Sequence, residues 1–163
     1  MKGKGFVSKA APGAVFVGME NIAQVIAERV NAGQSVELPP RGISMLPLLR
    51  EGRDSVILSP KPEHLEKYDI PLYQRESGGY VLHRIVGERD GAYVLVGDNQ
   101  YAKEYGIKDE QIIAVVSAIR RGGRLFDVKH PLYLTYVYLW CAIRPARHLL
   151  ARVKGKIARI LRK

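Results

Sequence analysis

From Gln34 onward the apolar residues fall on alternate positions, and this period of two constrains the fold more than any other feature of the chain. SVELP, DSVILS, DIPLYQR, YVLHRIVGE, AYVLVGD and QIIAVVSAIR each read as a half-buried strand. Ser77-Gly78-Gly79 between LYQRE and YVLHRIV, and Asp90-Gly91 between HRIVGE and AYVLVGD, are hairpin signals, so consecutive strands pair antiparallel. The middle of the chain is therefore predicted to be a β domain. Ahead of it, Ile22, Val25, Ile26 and Val30 recur at helical spacing, with Gly33 as the stop, which predicts one amphipathic helix over 18–32.

A length of 163 residues suits one domain with its own core plus an appended element. The single cysteine, Cys141, excludes an intramolecular disulfide. His64, His83, His130 and His148 are scattered without the spacing of a zinc site, so no metal and no cofactor is expected. The net charge of +10 is unevenly placed. Residues 131–163 hold eight Lys or Arg and no acid, leaving only +2 for the rest. Composition shifts near His130-Pro131, giving three expected parts: an N-terminal segment 1–34, a β domain 35–130 and a tail 131–163.

In the tail, Leu132 to Ile143 is apolar and rich in Tyr and Trp. From Pro145, which suits a first helical position, Leu149, Leu150, Val153, Ile157, Ile160 and Leu161 alternate with basic residues. An aromatic belt followed by a basic amphipathic helix fits an anionic membrane surface. The alternative is a helix packed on the β domain with its basic face in water. No segment reaches the roughly 18 apolar residues of a membrane-spanning helix. The N-terminal charge and apolar patch are interrupted by Pro12 and Gly13, and so read as cytoplasmic sequence rather than a signal peptide. The expected location is cytoplasmic, peripheral to the inner face of the membrane.

Three motifs carry candidate chemistry. Ser44 sits in GISMLP, at the end of a short extended run and before a charged turn. A serine hydroxyl is a weak nucleophile until a base takes its proton and donors hold the oxyanion. Downstream lie HRIV, with His83, and GDN, with Asp98. On a continuous strand His83 would share a face with Val81 and Ile85, with Arg84 on the other. Such a histidine is either a satisfied core residue or a general base, because burial disfavours the imidazolium and leaves the ring ready to accept a proton.

The order G-x-S-M-x-P, a charged turn with Gly52 and Asp54 before an apolar strand, HRIV and then GDN resembles that of the signal peptidase and LexA-like serine peptidases, over roughly residues 35–120. The resemblance implies a mainly β, LexA/signal-peptidase-like domain of antiparallel hairpins, flanked by the N-terminal helix and the basic C-terminal helix. It implies a serine endopeptidase with Ser44 as nucleophile. His83 stands where archaeal and endoplasmic-reticulum signal peptidases carry a histidine base and bacterial ones a lysine. A carboxylate completes the site, and both Glu104 and Asp98 qualify. Gly42, Ile43, Met45 and Pro47 would form the oxyanion and substrate-binding set, the oxyanion resting chiefly on the Ser44 N–H. The substrate implied is a signal-peptide-like or precursor peptide, or the protein itself. It would be bound extended by strand addition, with small side chains before the cut.

Two other readings stand beside this one. The β domain could be a catalytically idle clamp for a peptide or partner. The basic tail could bind nucleic acid, which is disfavoured because a single helix precedes SVELP, leaving no helix-turn-helix.

Overall fold

Alternating residues form strands when one face finds a core, and here they build two sheets that meet at a corner. A computed structural model describes residues 19–160, with side chains over 21–153. Helix α1 (Met19–Asn31) precedes β1 (Val36–Leu38), β2 (Asp54–Ser59), β3 (Pro71–Gln74), β4 (Tyr80–Leu82), β5 (Arg84–Arg89), β6 (Ala92–Val96) and β7 (Glu104–Ile107). A 3-10 turn at Asp109–Gln111, β8 (Ile112–Arg121), β9 (Arg124–Asp127), α2 (Pro131–Ala142) and α3 (Arg144–Ile160) complete the chain. One sheet has the order β1-β2-β8-β3-β4, with β9 also on β8; the other is β5-β6-β7. All pairings are antiparallel. The architecture is mainly β, with an N-terminal helix and C-terminal helices. The expectation for residues 1–18 lies outside the described residues.

The period of two is visible in burial. Along β2, Asp54, Val56 and Leu58 turn inward while Ser55, Ile57 and Ser59 stay half-exposed. Val56, Leu58, Ala114 and Val116 pack against Ile26 and Val30 of α1 and against Met45, Leu48 and Leu49. Adjacent residues of β3 serve different cores. Leu72 belongs to the cluster under α1, and Tyr73 to the cluster between the sheets, with Ile85, Tyr93, Leu95 and Ile107.

YVLHRIVGE is not the single strand that its alternation predicts. Leu82 pairs with Leu72 in the first sheet and Arg84 with Val96 in the second, so the chain changes sheet at His83. At the corner His83, Arg84 and Ile85 are buried in succession, because the two sheets take neighbouring residues into different surroundings. Strands β7 and β9 were not anticipated. EYGI contains Gly106, and all four residues of RLFD in β9 are exposed, so neither carries an apolar alternation. Pro145 takes the second position of α3, after Arg144, rather than the first.

Much of the aromatic segment packs on the β domain. The His130 Nδ1 accepts from Leu132 N–H at 3.2 Å, capping α2 with Pro131 as its first residue. Val137 is buried, and Tyr133 and Tyr136 pack on the core cluster under α1. Among the described residues no helix is long and apolar enough to cross a membrane.

At the centre of this packing lies a fully buried ion pair. Arg84 donates from Nε to Asp98 Oδ1 at 2.8 Å and from Nη2 to Oδ2 at 2.7 Å. Its Nη1 donates to the Tyr68 carbonyl at 3.0 Å and to Tyr133 Oη at 3.2 Å. The Asp98 carbonyl accepts from Trp140 Nε1 at 3.2 Å and from Arg147 Nη1 at 3.3 Å. Burial works against the Arg84 charge, and the Asp98 carboxylate more than offsets it, leaving the guanidinium pKa above its ordinary value. Removing one member strands the other in a dry site. Asp98→Ala is therefore expected to lower stability by about 3–5 kcal/mol in urea unfolding, and a loss below about 1 kcal/mol would contradict this role.

Candidate active site

Ser44 is presented by a loop held at several points. Gly42 has φ +82, a left-handed conformation that side chains resist, and its N–H donates to Glu51 Oε2 at 3.0 Å. Leu49 N–H donates to the Met45 carbonyl at 2.9 Å, and Arg50 N–H to the buried Asp54 Oδ2 at 2.9 Å. The Arg121 guanidinium grips Asp54 through Nε at 2.9 Å and also donates to the Leu48 carbonyl. The charged turn after Ser44 is thereby fastened to β2 and β8.

GDN closes over this loop, each residue acting differently. The Asn99 N–H donates to the Ser44 carbonyl at 2.8 Å, and Asn99 Nδ2 to the Ile43 carbonyl at 3.2 Å. Asp98 turns away to Arg84. Gly97 has an ordinary φ, yet a Cβ there would lie 2.6 Å from the Ser44 carbonyl oxygen. Glycine is needed for close approach, not for its backbone angle.

His83 sits at the corner between sheets, 1 % exposed. Its Nδ1 lies 3.0 Å from Glu104 Oε1 and 3.2 Å from Tyr73 Oη. Glu104 opens β7, where pairing sets it opposite Leu95. Arg75 holds the same carboxylate from the far side, with Nε donating to Oε2 at 2.9 Å and Nη2 to Oε1. Burial pushes the His83 imidazole below its ordinary value, and the Glu104 charge pulls the other way. The Arg75 guanidinium holds the Glu104 carboxyl below the usual range. Burial, then Glu104, pushes the Tyr73 phenol up. The site thus favours a neutral imidazole beside a charged carboxylate. An Nδ1–H donated to Glu104 leaves Nε2 as the acceptor.

A groove of about 420 Å³ joins the pieces, lined by Gly42, Ser44 and Met45 on one side and by Tyr80, Leu82 and His83 on another. Ile43 is exposed and Pro47 faces a different cavity, so neither lines this groove. Ser44 and His83 line this groove, and Glu104 lies against His83. Asp98 does neither, because Arg84 takes both of its carboxylate oxygens. No hydrogen bond joins Ser44 to His83 among the described residues. Strand β4 ends its sheet, leaving one edge of Tyr80–Leu82 unpaired beside the groove. Tyr73 and Arg75 were not anticipated, since nothing in the spacing of DIPLYQR marks them as partners of a histidine ten residues on.

Chemically, the set offers a hydroxyl, a buried neutral base and a charged acceptor on the base's second nitrogen. The Ser44 N–H has no acceptor among the described residues. Comparisons with protein-family models, curated proteins and solved structures found no match to this chain.

The contact at Gly97 yields a prediction. Gly97→Ala forces its methyl into the Ser44 carbonyl and should cost about 1–3 kcal/mol in urea unfolding. A variant as stable as the parent would mean that the two loops do not meet this closely.

Proposed function

We propose that the chain is a serine endopeptidase of the signal-peptidase and LexA-like kind, acting on a peptide bound extended along the free edge of β4. The observation that carries this reading is the buried His83, with Glu104 3.0 Å from Nδ1 and Ser44 on the wall of the same groove. In the proposed reaction Ser44 Oγ attacks the scissile carbonyl while His83 Nε2 takes its proton. The Ser44 N–H stabilises the oxyanion, and the imidazolium then passes the proton to the departing amine. Water repeats the sequence on the acyl-enzyme. Glu104 fixes the tautomer and stabilises the imidazolium; Arg75 and Tyr73 hold Glu104 and the ring in place.

The missing hydrogen bond from Ser44 to His83 favours the second reading, an idle peptide clamp of the same fold. In a serine peptidase this contact is often long before substrate enters and tightens in the complex. The location we propose is cytoplasmic, at the inner face of a membrane. Leu149 and Leu150 on α3, 64 % and 61 % exposed, support contact with lipid.

Cleavage of a precursor-like peptide tests the reading. Ser44→Ala should abolish it at unchanged thermal stability. His83→Ala should lower kcat by about 10⁴- to 10⁶-fold and Glu104→Gln by roughly 10⁴-fold, whereas His64→Ala should have little effect. Full activity in Ser44→Ala, or equal losses from His64 and His83, overturns it. The sign of the pH dependence follows from burial. A base is active when neutral, and a lowered pKa keeps His83 neutral to lower pH. The acid limb of kcat/KM should therefore have its midpoint below the ordinary imidazole value of 6.5, and a midpoint above it would contradict the assignment.

A further inference from the structure

The groove beside Ser44 follows the edge of β4 that is unpaired among the described residues, and the register of that strand decides which side chains a peptide there would meet. Leu72 pairs with Leu82, Tyr73 with Val81 and Gln74 with Tyr80, so alternate residues of the β3-β4 hairpin share a face. Leu72, Tyr80 and Leu82 face the core under α1, together with Met45 and Leu49. Tyr73 and Val81 face the core between the sheets. His83 and Arg75 continue that second face, where they meet Tyr73 and Glu104. Side chains of both faces line the groove.

The two faces differ in chemistry. On the first, Ile22, Leu38, Tyr80 and Leu82 are only partly buried against the core, and all four line the groove. On the second, Arg75 is held in one orientation, because Glu104 accepts from its Nε at 2.9 Å and from its Nη2. Glu104 thereby uses two of the five guanidinium N–H donors. Nη1 makes no hydrogen bond among the described residues and reaches solvent, the side chain being 41 % exposed. Arg41, ahead of Ser44, adds a second cation to the lining, which contains no Asp or Glu among the described residues.

We propose that the groove selects an extended peptide in which a carboxylate side chain stands between two apolar ones, as in Leu-Glu-Leu. In a strand added to β4, successive side chains point to opposite faces and residues two apart share one. Setting the outer two against Ile22, Tyr80 and Leu82 removes apolar surface of both partners from water. The middle residue then points to the face of Arg75, where Nη1 offers a charge-assisted hydrogen bond. The guanidinium is already oriented by Glu104, so little freedom is lost when the bond forms. A lysine at the middle position would meet it as a like charge. The inference rests on the part of the proposed function that lays a peptide along β4, and it holds for a cleaving enzyme and for an idle clamp alike.

The test uses the full chain carrying Ser44→Ala, so that binding is read without cleavage. Short fluorescent peptides with Leu-Glu-Leu, Leu-Lys-Leu or Ser-Glu-Ser at the centre of one Gly/Thr frame are titrated by anisotropy. Leu-Glu-Leu should bind about tenfold or more tighter than either of the others. Adding Arg75→Gln should abolish or reverse the preference for glutamate over lysine. Adding Ile22→Ser should weaken Leu-Glu-Leu by about threefold or more and keep that preference. Arg152→Gln, which removes an exposed α3 cation away from the groove, should change neither, and so controls for general attraction between an acidic peptide and a basic chain. Thermal unfolding of each variant checks that it folds. Equal affinity for the glutamate and lysine peptides, a preference that survives Arg75→Gln, or no binding of any peptide would overturn the inference. Cleavage is read separately in the chain with Ser44 intact: selective binding without cleavage would sink the peptidase reading and leave this inference standing.

Discussion

The buried pair of Arg84 and Asp98 is the interaction on which the rest of the structure depends. Two charges removed from water are tolerated only when geometry and further hydrogen bonds compensate them. Here the guanidinium has two carboxylate oxygens, a backbone carbonyl and a tyrosine hydroxyl as acceptors. Those partners come from the Tyr68 loop, the GDN segment and α2, so satisfying one cation fastens three parts of the chain. The pair also decides which acid is available to His83. With Asp98 occupied by Arg84, Glu104 is the carboxylate left to approach Nδ1.

The corner at His83 is the second constraint. A continuous strand would carry His83 and Arg84 on opposite faces of one sheet. Passing from one sheet to the other sends His83 towards Tyr73 and Glu104, while Arg84 goes to the side covered by α2. Neighbours in sequence thus enter different environments, one favouring a neutral base and the other a permanent charge. The segment from Asp98 to Glu104 repeats this division. Asn99 holds the Ser44 loop, Gln100 lines the groove, Tyr101 packs on α3 and Glu104 faces His83.

The sequence was legible where burial imposes a period. The α1 helix, the strands of DSVILS and QIIAVVSAIR, and the two hairpins were readable because each keeps one regular face towards a core. The glycines at the hairpin turns mark the reversals, and Asp90 and Gly91 both adopt positive φ. The corner at His83 was not readable, because no Gly or Pro between Tyr80 and Val86 marks the change of sheet. Strand β7 was hidden because a short edge strand with Gly106 buries one apolar residue of its own, Ile107, too few to make a period. In the site, GISMLP, HRIV and GDN pointed to Ser44, His83 and two possible acids. Choosing between the acids needed the position of Arg84, a long-range fact. The aromatic run from Leu132 to Ile143 was ambiguous for a related reason: rings that suit a membrane interface also suit a protein core with a hydrogen bond at one edge. Tyr133 and Trp140 use theirs on Arg84 and on the Asp98 carbonyl.

The central claim is that His83 activates Ser44, and a serine-directed fluorophosphonate tests it most directly because the reagent needs an activated hydroxyl and no knowledge of the substrate. Mass analysis of the labelled chain should locate one adduct on Ser44, lost when His83 is replaced by alanine and kept when His64 is. No adduct on Ser44, or labelling there that is indifferent to His83, would contradict the account.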